Sequence, residues 1–195
     1  MEIDKLFEFY RNEFIPSYSD LVGYIGDKPQ QILIELENVV SHISQIFNPK
    51  VKPHERDENL KKAYGHLLRA TLDCYKLLWV NIHDQLKMIE EDKSIRKLGL
   101  NISESDFLIK LQELRKLAQE ARRKEMVSVG LNPLASIDLY KGVVREGYKL
   151  IDNMDENKIK EIKSLKRFIS TKEFTSGIAI GIFTGLISGY ILLFI

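Results

Sequence analysis

Apolar residues recur along most of this chain at intervals of three and four, the spacing of one face of an α-helix. The segment EIDKLFEFYRNEF reads as a short helix ended by Pro16, with a further helical turn around Tyr18–Tyr24. Asp27 looks like an N-cap, with Pro29 just inside the next helix. From there Ile32, Leu36, Val39, Val40, Ile43 and Phe47 form a stripe that Asn48-Pro49 stops. After the loop NPKVKPHERD, Asp57 can cap a long helix over 58–91. Its stripe runs Leu60, Tyr64, Leu67, Leu68, Thr71, Leu72, Tyr75, Leu78, Trp79, Ile82, Leu86 and Ile89, a wide core-facing surface. Ser103 with Asp106 resembles a capping box opening a helix to about Ser128, and Gly130 fits a C-cap. Asn132-Pro133 starts another helix, to about Asn153. Asp155 starts the last one, whose apolar positions are Ile159, Ile162, Leu165, Phe168 and Ile169. No strong two-residue alternation marks a strand. The pattern predicts an all-α protein: a cytosolic antiparallel bundle of five or six helices over 1–154, a basic amphipathic helix over 155–173, and a transmembrane helix over 174–195.

The prediction for the tail rests on hydropathy. From Phe174 to Ile195 there are 22 residues without a charge, 12 of them Ile, Leu or Phe. A helix of that length covers about 33 Å against a hydrocarbon core of about 30 Å. The apolar residues favour insertion by about 4–7 kcal/mol at most, and the glycines and hydroxyls erode that. The expectation is a single-pass tail anchor. The basic flank Lys158, Lys160, Lys163, Lys166, Arg167 and Lys172 would keep the N-terminal domain in the cytosol and attract anionic phospholipids, at about 1 kcal/mol per basic residue.

Inside that tail lies GIAIGIFTGLISG, where Gly177, Gly181, Gly185 and Gly189 fall four apart. Glycine weakens a helix in water by about 0.5–1 kcal/mol against alanine. Four on one face make a shallow groove that lets a second backbone approach closely. Thr184 and Ser188 flank it. The spacing predicts a homo-oligomer, either a pair or a ring.

Composition narrows the chemistry. The 195 residues carry a formal net charge of +1. The single cysteine, Cys74, excludes an internal disulfide framework and is expected in the core. Neither a phosphate-binding glycine loop nor HExxH occurs. Helical RNases of the HEPN type place an Arg four to six residues before a His, and no His here has one. His66 and His83 lie too far apart on one helix to share a metal. His66, Arg69, Asp73, Lys76 and His83 read as a solvated face with an Arg69–Asp73 pair. The expectation is no catalytic residue, no metal and no cofactor. Arg115, Lys116, Arg122, Arg123 and Lys124 form a second basic group, a candidate anion or lipid-headgroup site. Direct nucleic-acid binding is not expected.

The helical body, the basic flank 158–172 and the glycine-spaced tail together resemble the small membrane effectors of prokaryotic immune systems, including those tied to CRISPR, cyclic-nucleotide or short-Argonaute sensors. That resemblance implies a cytosolic sensor or other protein partner, anionic lipid binding, and depolarisation or permeabilisation on activation. The alternative is a non-toxic tail-anchored adaptor that dimerises and tethers a cytosolic partner.

Overall fold

A computed structural model of the chain describes residues 2–128, 133–170 and 172–192, and the side chains of all of these except 172–174, 188 and 191–192. In chain order the helices are α1 (Ile3–Phe9), α2 (Ile15–Ile25), α3 (Gln30–Ile46), α4 (Pro53–Glu91), α5 (Lys93–Leu98), α6 (Glu104–Val127), α7 (Leu134–Ile151), α8 (Glu156–Ser170) and α9 (Lys172–Leu192). No strand occurs among the described residues, only one isolated bridge, Leu100 to Met154.

Pro16 does not end the first helix. The backbone runs from α1 through a π-helical segment, Tyr10–Phe14, directly into α2. Proline lacks the N–H that an α-helix would donate four residues back, and its ring crowds that carbonyl. The wider π register just before it relieves both problems. Tyr10, Phe14 and Tyr18 stack along this segment with ring centroids 5.4 and 5.5 Å apart. Gly26 ends α2 at φ 73°, a conformation that glycine adopts without strain.

Two other helix starts move from their expected positions. Pro29 lies ahead of α3 in extended conformation, and Asp27 accepts only from the Lys28 N–H, at 2.7 Å. Helix α4 begins at Pro53 rather than after Asp57, because Glu55 accepts from the Lys52 N–H at 3.0 Å and Arg56 ties back to the carbonyls of Val51 and Asn48. The expected cap at Ser103 is present: its Oγ accepts from the Asp106 N–H at 3.0 Å. Gly130 and Asn132 lie outside the described residues.

Helix α4 is the axis of the fold. Its 39 residues extend about 58 Å. It packs α2 and α3 along one part of its length and α7 along another, while α6 packs on α7. Leu67, Leu78, Ile82 and Leu86 on α4, with Phe14, Leu21, Ile32, Phe107, Leu111, Ile137 and Val143, form the closed centre of the core. Burial pushes the Cys74 thiol up to about 12, so it stays a thiol at neutral pH. The α3 stripe is only half used: Ile32 and Val39 are buried, while Val40 and Phe47 are exposed.

Among the described residues no helix is long and apolar enough to cross a membrane. This overturns the expected transmembrane helix over 174–195 and, with it, the tail-anchored, single-pass placement in a cell membrane. Within Thr175 to Ile187, glycines and hydroxyl residues take positions that a span fills with large side chains.

Candidate functional site

The chain leaves the body at Asp155. Its N–H donates to the Gly99 carbonyl at 2.9 Å, and its carboxylate accepts from the Lys158 N–H at 3.1 Å, capping α8. That backbone hydrogen bond, helped by the Lys158 ammonium, holds the Asp155 carboxyl below the usual range. Ile159 is the buried residue of α8. It seats over Gly99, where a Cβ would lie 2.8 Å from Ile159 Cγ1 and 2.9 Å from the Ile95 carbonyl. Ile162 is half-buried against the same core, and Lys166 reaches Asp92, the residue that caps α5 through the N–H groups of Ser94 and Ile95. The Lys166 hydrogen bond is the main cause that holds the Asp92 carboxyl below its ordinary range. Gly99→Ala is therefore expected to push Ile159 out of its seat. The measurable result is faster amide hydrogen exchange across α8 with core exchange in α4 unchanged; equal protection of α8 in the variant would contradict the seat.

Beyond this mount the surface turns apolar. Leu165, Phe168 and Ile169 are exposed at the end of α8. Helix α9 packs on α8 alone among the elements in appreciable contact with it, and exposes Ile178, Ile180, Ile182, Phe183, Leu186, Ile187 and Tyr190, with Phe183 66% and Leu186 68% accessible. At 100° per residue Ile178 falls between Gly185 and Gly189 in projection, while the other six spread over the rest of the helix circumference, with Phe183 opposite the glycines. A Cβ built on Gly177, Gly181, Gly185 or Gly189 meets nothing within 4 Å. Thr184 spends its hydroxyl inside its own helix, on the carbonyls of Ile180 (2.8 Å) and Gly181 (3.1 Å), so it is not offered to a neighbour. The side chains of Ser188 and Lys172 lie outside the described residues.

The expected basic flank divides. Lys158 pairs with Asp155, Lys160 with Glu156 and Lys166 with Asp92. Lys163 and Arg167, one helical turn apart and exposed, have no acidic partner among the described residues. Helix α5, which packs on α8, adds exposed Lys93, Lys97 and Leu98, residues that the hydrophobic pattern did not single out. The basic group on α6 does not converge. Arg115 makes a two-pronged pair with Glu90 at 2.8 and 2.5 Å, and Arg122 pairs with Glu125 at 2.7 Å, while Lys116, Arg123 and Lys124 face solvent. Arg115 therefore ties α6 to α4, while the exposed Arg122 pairs one turn along its own helix.

The polar face of α4 is also rearranged. Arg69 pairs with Glu35 of α3 at 3.4 Å, and its guanidinium approaches His66; Asp73 instead takes Lys76 (3.1 Å) and Gln31 (2.6 Å). Lys76 also reaches Glu125 at 3.0 Å, where Arg122 and the Tyr140 hydroxyl meet the same carboxylate. Among the described residues no group of three or more His, Cys, Asp or Glu is placed to hold a metal ion.

No family model, no curated protein and no solved structure matches this chain. The class that fold and site define is an all-α body bearing an exposed apolar arm.

Proposed function

We propose that this chain is a self-assembling interaction protein whose working part is the α8–α9 arm. Helix α9 pairs with α9 of a second copy through the Gly177, Gly181, Gly185 and Gly189 face. The apolar side left over after pairing, with the cations of α5 and α8, rests on an anionic phospholipid surface without crossing it. The helical body is the part that a sensor or other protein partner engages.

The observation that carries this reading is the exposure of the described side chains of α9. Seven large apolar side chains of α9 stand in water. An isolated helix of this length containing four glycines is marginal in water. If association half-covers Ile178 and Ile182, the large side chains nearest the glycine face, on both copies, about 3–6 kcal/mol of apolar transfer adds to close backbone contact, against about 4–15 kcal/mol of lost translational and rotational freedom. Pairing through the glycine face leaves Phe183, Ile187 and Tyr190 on the far side. A lipid surface covers such a side without needing a shaped groove, and Lys93, Lys97, Lys163 and Arg167 supply the matching charge.

The test uses the full chain in two measurements. Sedimentation equilibrium is expected to show a concentration-dependent oligomer, and Gly181→Leu with Gly185→Leu to weaken it at least tenfold. Leucine raises helix propensity, so lost assembly would not be lost helix. A monomer at all concentrations, or unchanged association of the leucine variant, would refute the pairing. Flotation with vesicles of phosphatidylglycerol and phosphatidylcholine is expected to carry the protein, and phosphatidylcholine alone to leave it behind. Lys163→Gln with Arg167→Gln should weaken flotation about 25-fold, from about 1 kcal/mol per charge. Equal flotation on both vesicle types would refute the lipid docking, whatever the oligomeric state.

A further inference from the structure

Helices α3 and α4 run antiparallel, tied by Gln31 to Asp73, Glu35 to His66, and His42 to Asn59. The rings of His42 and His66 stack beside these ties, with centroids 5.2 Å apart. At 100° per residue Gln31, Glu35 and His42 share one flank of α3. The other flank is apolar. Leu33, Val40 and Phe47 fall within about 40° of one another, about a quarter-turn from the buried Ile32 and Val39. They are 42%, 66% and 70% exposed. Leu36 and Ile43, packed against the core, fill the arc between this row and the buried one. Helix α3 packs on α4 alone among the elements in appreciable contact with it, and the row stays open.

This flank has the composition of an interface centre. No Asp, Glu, Lys or Arg occurs from Asn38 to Phe47. The Ser44 hydroxyl donates to the Ser41 carbonyl at 2.7 Å and is spent inside the helix. Interface centres lose charge and gain aromatic residues in the same way.

The spacing selects the occupant. Leu33 and Phe47 each stand seven residues from Val40, on either side of it. A second α3 laid antiparallel on this flank, with Val40 at the two-fold axis, sets Leu33 against Phe47 of the second copy. Leu36 then lies beside Ile43, and Val40 meets its own counterpart. A two-fold contact needs a surface that matches itself in this way. Glu37 is the one charge at the edge of the row, and its two copies stand about 9 Å apart along the axis, so they do not oppose each other.

We infer that α3 carries a second self-pairing surface, an antiparallel two-fold seam centred on Val40 and anchored by Phe47. Leu33, Val40 and Phe47 offer about 170–300 Å² of apolar surface per copy. A pair covers about 350–600 Å² before its rim, at the small end of interface size, where contacts are weak and transient. The seam does not rest on the α8–α9 arm. A chain with two separate self-pairing faces grows past a dimer, to a tetramer or an open row of copies.

The experiment is oxidative cross-linking of the full chain, because a disulfide traps a weak pair. Cys74 is buried and leaves the wild type unlinked. Val40→Cys is expected to give a covalent dimer on mild oxidation, since residues facing each other across the axis come within disulfide reach. Ser41→Cys, exposed but about 100° further round the helix, should give about a tenth of that yield. Adding Phe47→Glu to Val40→Cys should cut the yield about tenfold. Adding Gly181→Leu with Gly185→Leu should leave it unchanged. All these positions are exposed, so the urea midpoint should stay at the wild-type value and lost yield would not be lost fold. No dimer from Val40→Cys, equal yields from Val40→Cys and Ser41→Cys, or full yield with Phe47→Glu would each overturn the seam. The first of these would leave the flank to a helix of another protein. A yield lost with the α9 leucines would overturn the seam's independence of the arm.

Discussion

Ile82→Ala is expected to lower the stability of the fold by about 2–5 kcal/mol, read as a drop in the urea midpoint. Ile82 is fully buried where α4 crosses α7. Its Cγ2 would lie 2.7 Å from a Cβ built on Gly147. The two helices approach this closely because α7 offers no side chain at the crossing. Gly147→Ala alone must push Ile82 aside and is expected to cost about 1–3 kcal/mol through overpacking, despite alanine's better helix propensity. In the Ile82→Ala background the obstructing methyl is gone, so adding Gly147→Ala should cost little or even stabilise. A double-mutant cycle measures this directly. Additive costs would mean that the two residues do not share the crossing.

The second large effect is expected at Glu125. Its side chain is 14% accessible and collects Lys76, Arg122 and Tyr140 from three helices. Burial alone would raise its carboxyl, but hydrogen bonds from Arg122 and Lys76 outweigh burial and hold it below the usual range. The Tyr140 hydroxyl is pushed the other way, to about 12, by burial and then by the charge of Glu125. Glu125→Ala leaves buried Tyr140 and half-buried Lys76 without their shared acceptor and is expected to cost about 3 kcal/mol. The pH dependence has a definite sign. A carboxyl lowered in the folded state contributes stability above its unfolded value of about 4.3, and loses it as pH falls through the folded value. Wild-type stability should therefore fall below about pH 4.5, and Glu125→Gln should flatten part of that limb. Glu90, lowered chiefly by its hydrogen bond from Arg115, keeps the rest of the limb in place. An acid limb unchanged in Glu125→Gln would show that the carboxylate is not held as described.

How much of this was legible in the sequence depends on how far apart the interacting residues stand. The Ser103 cap acts over three residues, and the α4 stripe repeats over a dozen positions, so both are readable from spacing. Pro16 misled because its local signal is strong, while the helix continues past it through a π-helical segment into residues whose Phe14 and Leu21 are buried in the core. The Arg69–Asp73 pair failed because Glu35 competes for Arg69 from another helix, and a competitor 34 positions away leaves no mark in the local pattern. His42 and His66 become neighbours only through the α3–α4 register. The tail misled in a different way. A run without charge satisfies the gross signature of a span, but its glycines and hydroxyls thin the apolar content.

The mount of α8 is mechanical as much as chemical. One seated isoleucine, a half-buried neighbour and one ion pair hold it to the body, while α4 and α7 share a long interface. The exposed side chains of α9 lie apart from the α4–α7 interface, so substitutions among them are expected to leave the packing of the body untouched.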